Sequence, residues 1–204
     1  MSSSLWALEV DHTAPATYLA DGALLREISK AGLSPMGVRN ALAPYLAKDP
    51  FTLELVAPNG SSLLEQSVPV GDMLLFNWLP VFSERAYRLL CAEGCNSEEF
   101  IDCRLRVLES TPFKVHAPLQ SYDVIDFASS VSLHSIPIDP PIPFHFVSVS
   151  LKGITQNLPP CFRVPAPGHP QVLNELFAQD KLREAWSVAG LNGATFRSLA
   201  HSTA

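Results

Sequence analysis

Hydrophobic and polar positions fall in short patterned runs, and most runs close on Gly, Pro or Asn. Residues 4–10 (Ser-Leu-Trp-Ala-Leu-Glu-Val) predict a first strand. After Asp21, Leu24, Leu25 and Ile28 fall on one helical face, so a helix is expected from Asp21 to about Lys30, with Gly32 just past its end. Residues 51–56 read as a strand that meets a Pro58-Asn59-Gly60 turn. Residues 72–76 predict a short apolar strand. Ser83 is a helix cap, with Ala86, Tyr87 and Leu90 on one side, an end near Ala92 and Gly94 as the stop. Residues 99–107 alternate most regularly. Ile101, Cys103, Leu105 and Val107 face one way and Asp102, Arg104 and Arg106 the other, so this strand has a wet face and suits antiparallel pairing.

Further strands are expected at 113–117, 122–127 and 144–151. Nine of the 18 prolines fall in residues 137–170. Proline lacks the N–H that a sheet interior needs, so bends, edges and loops are expected there around one strand. The same stretch holds Phe144, Phe146, Val147 and Val149, which favour burial, so it is not a linker. Residues 1–204 therefore read as a single domain. A helix is expected from Gln179 to Ala189, striped by Leu182, Ala185, Trp186 and Ala189, with Gly190 as stop and a final strand at 194–199. Strands outnumber helices without alternating regularly with them. The predicted class is α+β, with a mostly antiparallel or mixed sheet and a few short helices.

A shift of 96 residues aligns 84–100 with 180–196. Gly94 then matches Gly190, Asn96 matches Asn192 and Phe100 matches Phe196. Two similar units are expected, each a helix, a glycine stop, a turn and a strand opening on Phe.

Composition narrows the function classes. A chain of 204 residues buries a core without staples. Its formal charge of −6 argues against a dedicated nucleic-acid binder, which needs a basic face. No basic residue precedes Arg26, and the apolar stretch 68–82 is interrupted and too short to span a bilayer. Four cysteines fit reduced thiols, so a cytoplasmic setting is expected. Residues 49–84 contain no Lys or Arg but hold Asp49, Glu54, Glu65, Asp72 and Glu84; residues 115–151 contain none but hold Asp123, Asp126 and Asp139. Such segments either cap turns or form an acidic face that speeds encounter with a basic partner.

Candidate chemistry is sparse. Cys91, Cys95 and Cys103 supply half of a zinc-type spacing without its partner, and they read as core thiols. Cys161 would need a histidine to act as a nucleophile; spacing does not choose among His116, His134, His145 and His169. Hydrolase-elbow, zinc-protease, phosphate-loop and dinucleotide motifs are absent. The paired acids Glu98-Glu99 and Asp123/Asp126 are sequence neighbours, a poor arrangement for carboxylates across a cleft. No catalytic residue, metal or cofactor is assigned.

Four stretches resemble the immunity-protein family once called domain of unknown function 1629, also termed immunity protein 11. They are Pro80 to Gly94 continuing to Glu99-Phe100, Ser121-Tyr-Asp-Val-Ile-Asp126, Leu158-Pro-Pro-Cys-Phe-Arg-Val164, and Asp180 to Phe196. Their order and spacing, over about residues 72–198, carry the resemblance. Phe127 departs from it, standing where the family has a small residue or cysteine, and this weakens any special role for Asp126. The resemblance implies a bacterial antitoxin of a polymorphic-toxin or contact-dependent system, similar to neighbours of effectors secreted by the type VI route. It would bind a cognate toxin domain and block it; the acidic segments suit a basic partner. The acids expected at that contact are Glu54, Glu65, Asp72, Glu98, Glu99, Asp123 and Asp126. The rival readings are a thiol-dependent hydrolase using Cys161 and an effector-loading adaptor. The sequence leaves the toxin's chemistry and the oligomeric state open.

Overall fold

A computed structural model describes residues 5–13, 18–20, 26, 35–46, 51–56, 69–76, 78–105, 108–152, 158–169 and 172–202. Twelve strands are described: β1 (Leu5–Val10), β2 (Tyr18–Ala20), β3 (Phe51–Val56), β4 (Met73–Phe76), β5 (Leu79–Ser83), β6 (Phe100–Leu105), β7 (Leu108–His116), β8 (Ile125–Ile136), β9 (Ile142–Leu151), β10 (Cys161–Phe162), β11 (Leu176–Gln179) and β12 (Ala194–Ser202). Three helices join them: α1 (Pro35–Leu46), α2 (Glu84–Glu93) and α3 (Asp180–Val188). The class is α+β, with mixed, mostly antiparallel sheets and short helices.

The strands form two sheets. One is open, in the order β10-β11-β1-β12-β9-β8, and its only parallel pair among the described residues is β12 with β9. The other is a closed barrel, β2-β3-β6-β7-β5-β4, with parallel pairs β3–β6 and β2–β4. Alternation fills the barrel. Leu53 and Leu55 of β3, Leu74 and Phe76 of β4, Ile101, Cys103 and Leu105 of β6, and Phe113 and Val115 of β7 share its core. Leu42 and Ala41 of α1 join that core, and Arg39 donates to the Ala117 and Glu98 carbonyls at 2.9 Å each.

Strand β1 of the open sheet is covered on both faces. Leu5 and Ala7 of β1 pack on one side with Phe146, Phe162 and Phe177. Leu8 and Val10 pack on the other with Leu90 of α2, Leu182 and Trp186 of α3, and Phe82 from the outer surface of the barrel. The two helices therefore fill the seam between barrel and sheet. A polar knot closes the seam. Ser83 Oγ donates to Asp72 Oδ1 at 2.5 Å, Asn192 N donates to Asp72 Oδ2 at 3.1 Å, and Asp72 N donates to Asn192 O at 3.1 Å. Gly71 and Gly193 let these loops meet: a Cβ on Gly193 would stand 2.8 Å from the Met73 carbonyl, and one on Gly71 would stand 2.9 Å from Gly193 Cα.

The expected strands at 4–10, 51–56, 72–76, 144–151 and 194–199 are present, as are the helices opened by Ser83 and closing near Gly190. Ser83 Oγ accepts from Ala86 N, and Gly94 adopts φ 115°. Gly190 is also left-handed, at φ 61°, but the cap of α3 is Ala189. The matched asparagines differ in use: Asn96 Oδ1 accepts from Glu98 N, whereas Asn192 bonds Asp72. Several elements depart from expectation. Helix α1 and strands β5 and β11 were not anticipated, and β8 runs to Ile136 rather than ending at 127. Residues 97–99 form a 3-10 turn, so β6 opens at Phe100. The helix expected from Asp21, the turn at 58–60, Arg106 and Val107 lie outside the described residues, apart from Arg26, which is helical.

Candidate functional site

A polar concavity of about 400 Å³ lies where α2 ends. Its wall comes from three separate segments: Glu93 to Glu99, Leu119 to Tyr122, and Leu158 to Pro160. The left-handed Gly94 turns the chain out of the helix, and the 3-10 turn capped by Asn96 sets Glu99 beside it. Glu93 stands in the last turn of α2, which holds no basic residue, so its charge opposes the helix dipole. Lys181 of α3, at 2.8 Å, offsets it from the exposed side.

Glu99 is buried. One oxygen accepts from Leu119 N at 3.0 Å and the other lies 3.5 Å from His116 Nε2. Burial works to raise the Glu99 pKa, but His116, the Leu119 N–H and Arg39 hold the carboxyl below its ordinary value. His116 is fully enclosed against Phe100 and Phe82, with ring centroids at 5.0 and 6.4 Å. Burial lowers its pKa, with Glu99 pulling the other way. The cleft thus presents carboxyls, the phenol of Tyr122 and apolar proline walls next to the negative pole of a helix. It suits an ammonium or guanidinium group on an aliphatic stem.

The seven acids read from the sequence scatter. Glu98 is exposed on the 3-10 turn at the rim of this cleft, and Glu99 lines it. Asp123 follows the lining residue Tyr122 and is exposed, but it pairs with Lys152 at 2.7 Å. Glu54 is half-buried on β3 of the barrel. Asp126 folds back onto its own strand, accepting from Ala128 N and Ser129 Oγ, and these bonds lower its pKa. Glu65 lies outside the described residues. Two of the seven are not at the open surface. Asp72 and Glu99 are buried, because each satisfies neighbouring donors that would otherwise be orphaned. Sequence reasoning missed Glu93. Its signal was an acid at a helix end, where local electrostatics disfavours it.

A smaller cleft, about 220 Å³, opens between the barrel and the open sheet, with Leu8, Val10, Met73 and Trp78 among its walls. Arg163 is buried behind it, donating to the Trp78 and Leu173 carbonyls at 2.9 Å and to the Asn174 carbonyl. Burial brings its pKa down to about 10. Arg197 bridges Glu9 and Glu175 nearby. These charges tie strands and loops together.

The thiol chemistry is quiet. Cys95 and Cys161 are buried with sulfurs 3.5 Å apart. That contact and burial push the Cys161 pKa up. Among the described residues no three His, Cys, Asp or Glu side chains gather as metal ligands. No described helix is long and apolar enough to cross a membrane. Against known proteins, the chain matches no family model and no curated sequence.

Proposed function

We propose that this chain is an immunity protein, which binds a basic toxin domain of a secreted bacterial effector and blocks it by direct contact. The observation that carries this reading is the acidic cleft at the end of α2. Glu93 and Glu99 line it and Glu98 stands at its rim. A Lys or Arg side chain of the toxin enters with its stem against Leu158, Pro159 and Pro160 and its charge against the carboxyls. The family resemblance supports the same reading, since its first, second and third stretches contribute Glu93, Glu99, Tyr122 and Pro159-Pro160 to this wall. The reading places the chain in the bacterial cytoplasm.

The hydrolase reading has less behind it. A catalytic thiol needs exposure and a depressed pKa, and Cys161 has neither. An effector-loading adaptor would use the same contact but be needed by the producer cell rather than the recipient.

The test expresses the C-terminal domain encoded by the adjacent reading frame in a susceptible bacterium, with and without this chain. Rescue of growth and stoichiometric co-purification are expected. Glu93→Lys combined with Glu98→Lys should slow association about tenfold at low salt. A harmless neighbour, or killing that this chain does not relieve, overturns the immunity reading. An unchanged on-rate in the double variant removes the cleft from it.

A further inference from the structure

One surface is covered by nothing in the described structure and differs from the acidic cleft in chemistry. Strand β8 is the last strand of the open sheet, and among the described residues it pairs only with β9. Six of the eight large hydrophobic residues exposed among the described residues belong to the β8–β9 hairpin: Val131, Leu133, Ile136, Ile138, Phe144 and Val147. Val131 and Leu133 are the most open of these, at 55% and 58% exposure.

The hairpin is held rigid. Its tip is fixed where His169 Nε2 meets the Pro140 carbonyl at 2.7 Å, and Pro140 packs so closely on Gly168 that a Cβ there would stand 2.4 Å from it. Its base is fixed by Phe146, buried against Phe127 and Phe177. The ladder shifts register twice between Asp126 and Ser132; from Ser132 to Ile136 its pairs keep one register against 142–146, with Leu133 left out of the pairing and His145 at φ 56°. The outer half of β8 is therefore a preorganised edge, with no second strand beside it among the described residues.

Sheet edges are ordinarily guarded by charge, proline or extreme shortness. The opposite edge, β10, has two residues and follows Pro159-Pro160. Strand β8 has twelve residues, and from Phe127 to Ile138 the only proline is Pro137, just beyond the strand, and no residue carries formal charge at neutral pH with His neutral. An uncharged edge neither steers nor selects the basic partner proposed above. It is matched by an identical strand, which brings no like charge opposite it. Leu133 and Ile136 have odd spacing, so they project from opposite faces of the strand, and only pairing along the edge covers both.

We propose that β8 pairs antiparallel with β8 of a second copy about a two-fold axis, joining two six-stranded sheets into one of twelve. Such a contact buries on the order of 1,000 Å² over both copies, the lower end of specific interfaces, so a micromolar dimer is expected.

Sedimentation velocity of the purified full chain tests this without any toxin, so it succeeds or fails independently of the immunity reading. The mass should rise with concentration through the micromolar range from 22.2 kDa toward twice that value. Leu133→Lys and Val131→Lys, both at exposed positions, should each hold the chain at monomer mass with an unchanged circular dichroism spectrum. A monomer throughout the range, or a dimer that survives both lysine variants, overturns the proposal.

Discussion

His116 shows how a residue's setting turns into a measurable response. It lies on the outer side of β7, fully enclosed between Phe82, Phe100 and Glu99. Burial depresses its folded-state pKa below 6.5. The unfolded chain then binds the extra proton more readily as pH falls through 6.5, and the native state resists it until its own lower pKa is reached. Stability should therefore be full at neutral pH and decline on acidification through that window. The slope for one proton is at most about 1.4 kcal/mol per pH unit. Glu99, depressed below 4.5, contributes stability that is lost only at still lower pH. Urea unfolding across these windows should show His116→Leu with a flatter profile in the upper one. A variant profile parallel to the parent's would mean that folding leaves the His116 pKa unshifted.

The connections between elements separate a glycine needed for its backbone from one needed for its missing side chain. Gly190 and Gly193 are both left-handed, at φ 61° and 78°, within one turn between α3 and β12. A Cβ on Gly190 would meet nothing within 4 Å, so Gly190→Ala should cost only the backbone penalty of about 1–2 kcal/mol. A Cβ on Gly193 would press the Met73 carbonyl and the Gly71 backbone and force the Asp72 knot apart, so Gly193→Ala should cost clearly more. Denaturant midpoints of the two variants check the order, and equal losses would show that the loops part freely. The same elements mark what the sequence made legible. Strand β6 and helix α2 were readable because one face is wet and the other dry, with Ser83 and Gly94 at the helix ends. Helix α1 was not, because Gly37, Asn40 and Pro44 break its pattern; Leu42 in the barrel core and the carbonyl bonds of Arg39 hold it instead. Strands β5 and β11 are short buried runs that lead straight into helices and carry no polar alternation. The cleft draws on three distant segments, so Glu98, Glu99 and Asp123 could be seen as acids but not as neighbours or strangers, and the burial of Glu99 depends on a histidine in another strand.

At the scale of the molecule, the question is whether barrel and open sheet melt together. Their shared seam holds Phe82 from the barrel, Leu90 from α2, and Leu8, Ala178, Leu182 and Trp186 from the sheet side. Phe82 is fully buried, with ring contacts to Phe100 at 6.2 Å and to Trp186 at 6.2 Å. Arg163 adds polar ties across the same boundary, from the loop after β10 to the Trp78 carbonyl beside β5. Neither body buries its facing surface alone, so unfolding should be one cooperative step. Phe82→Ala leaves a cavity that the packed seam relaxes only in part, and it should cost about 3–5 kcal/mol. Because the loss falls on both bodies, the midpoint should move as a whole. Tryptophan fluorescence, which reads Trp6 on the sheet, Trp78 at the barrel and Trp186 in the seam, and far-ultraviolet circular dichroism should still give coincident transitions. Two separated transitions in the variant would mean that each body folds by itself and that the seam is a docking contact; a single displaced transition ties the acidic cleft and the β8 edge to one folding unit, so damage anywhere in the seam would disable both.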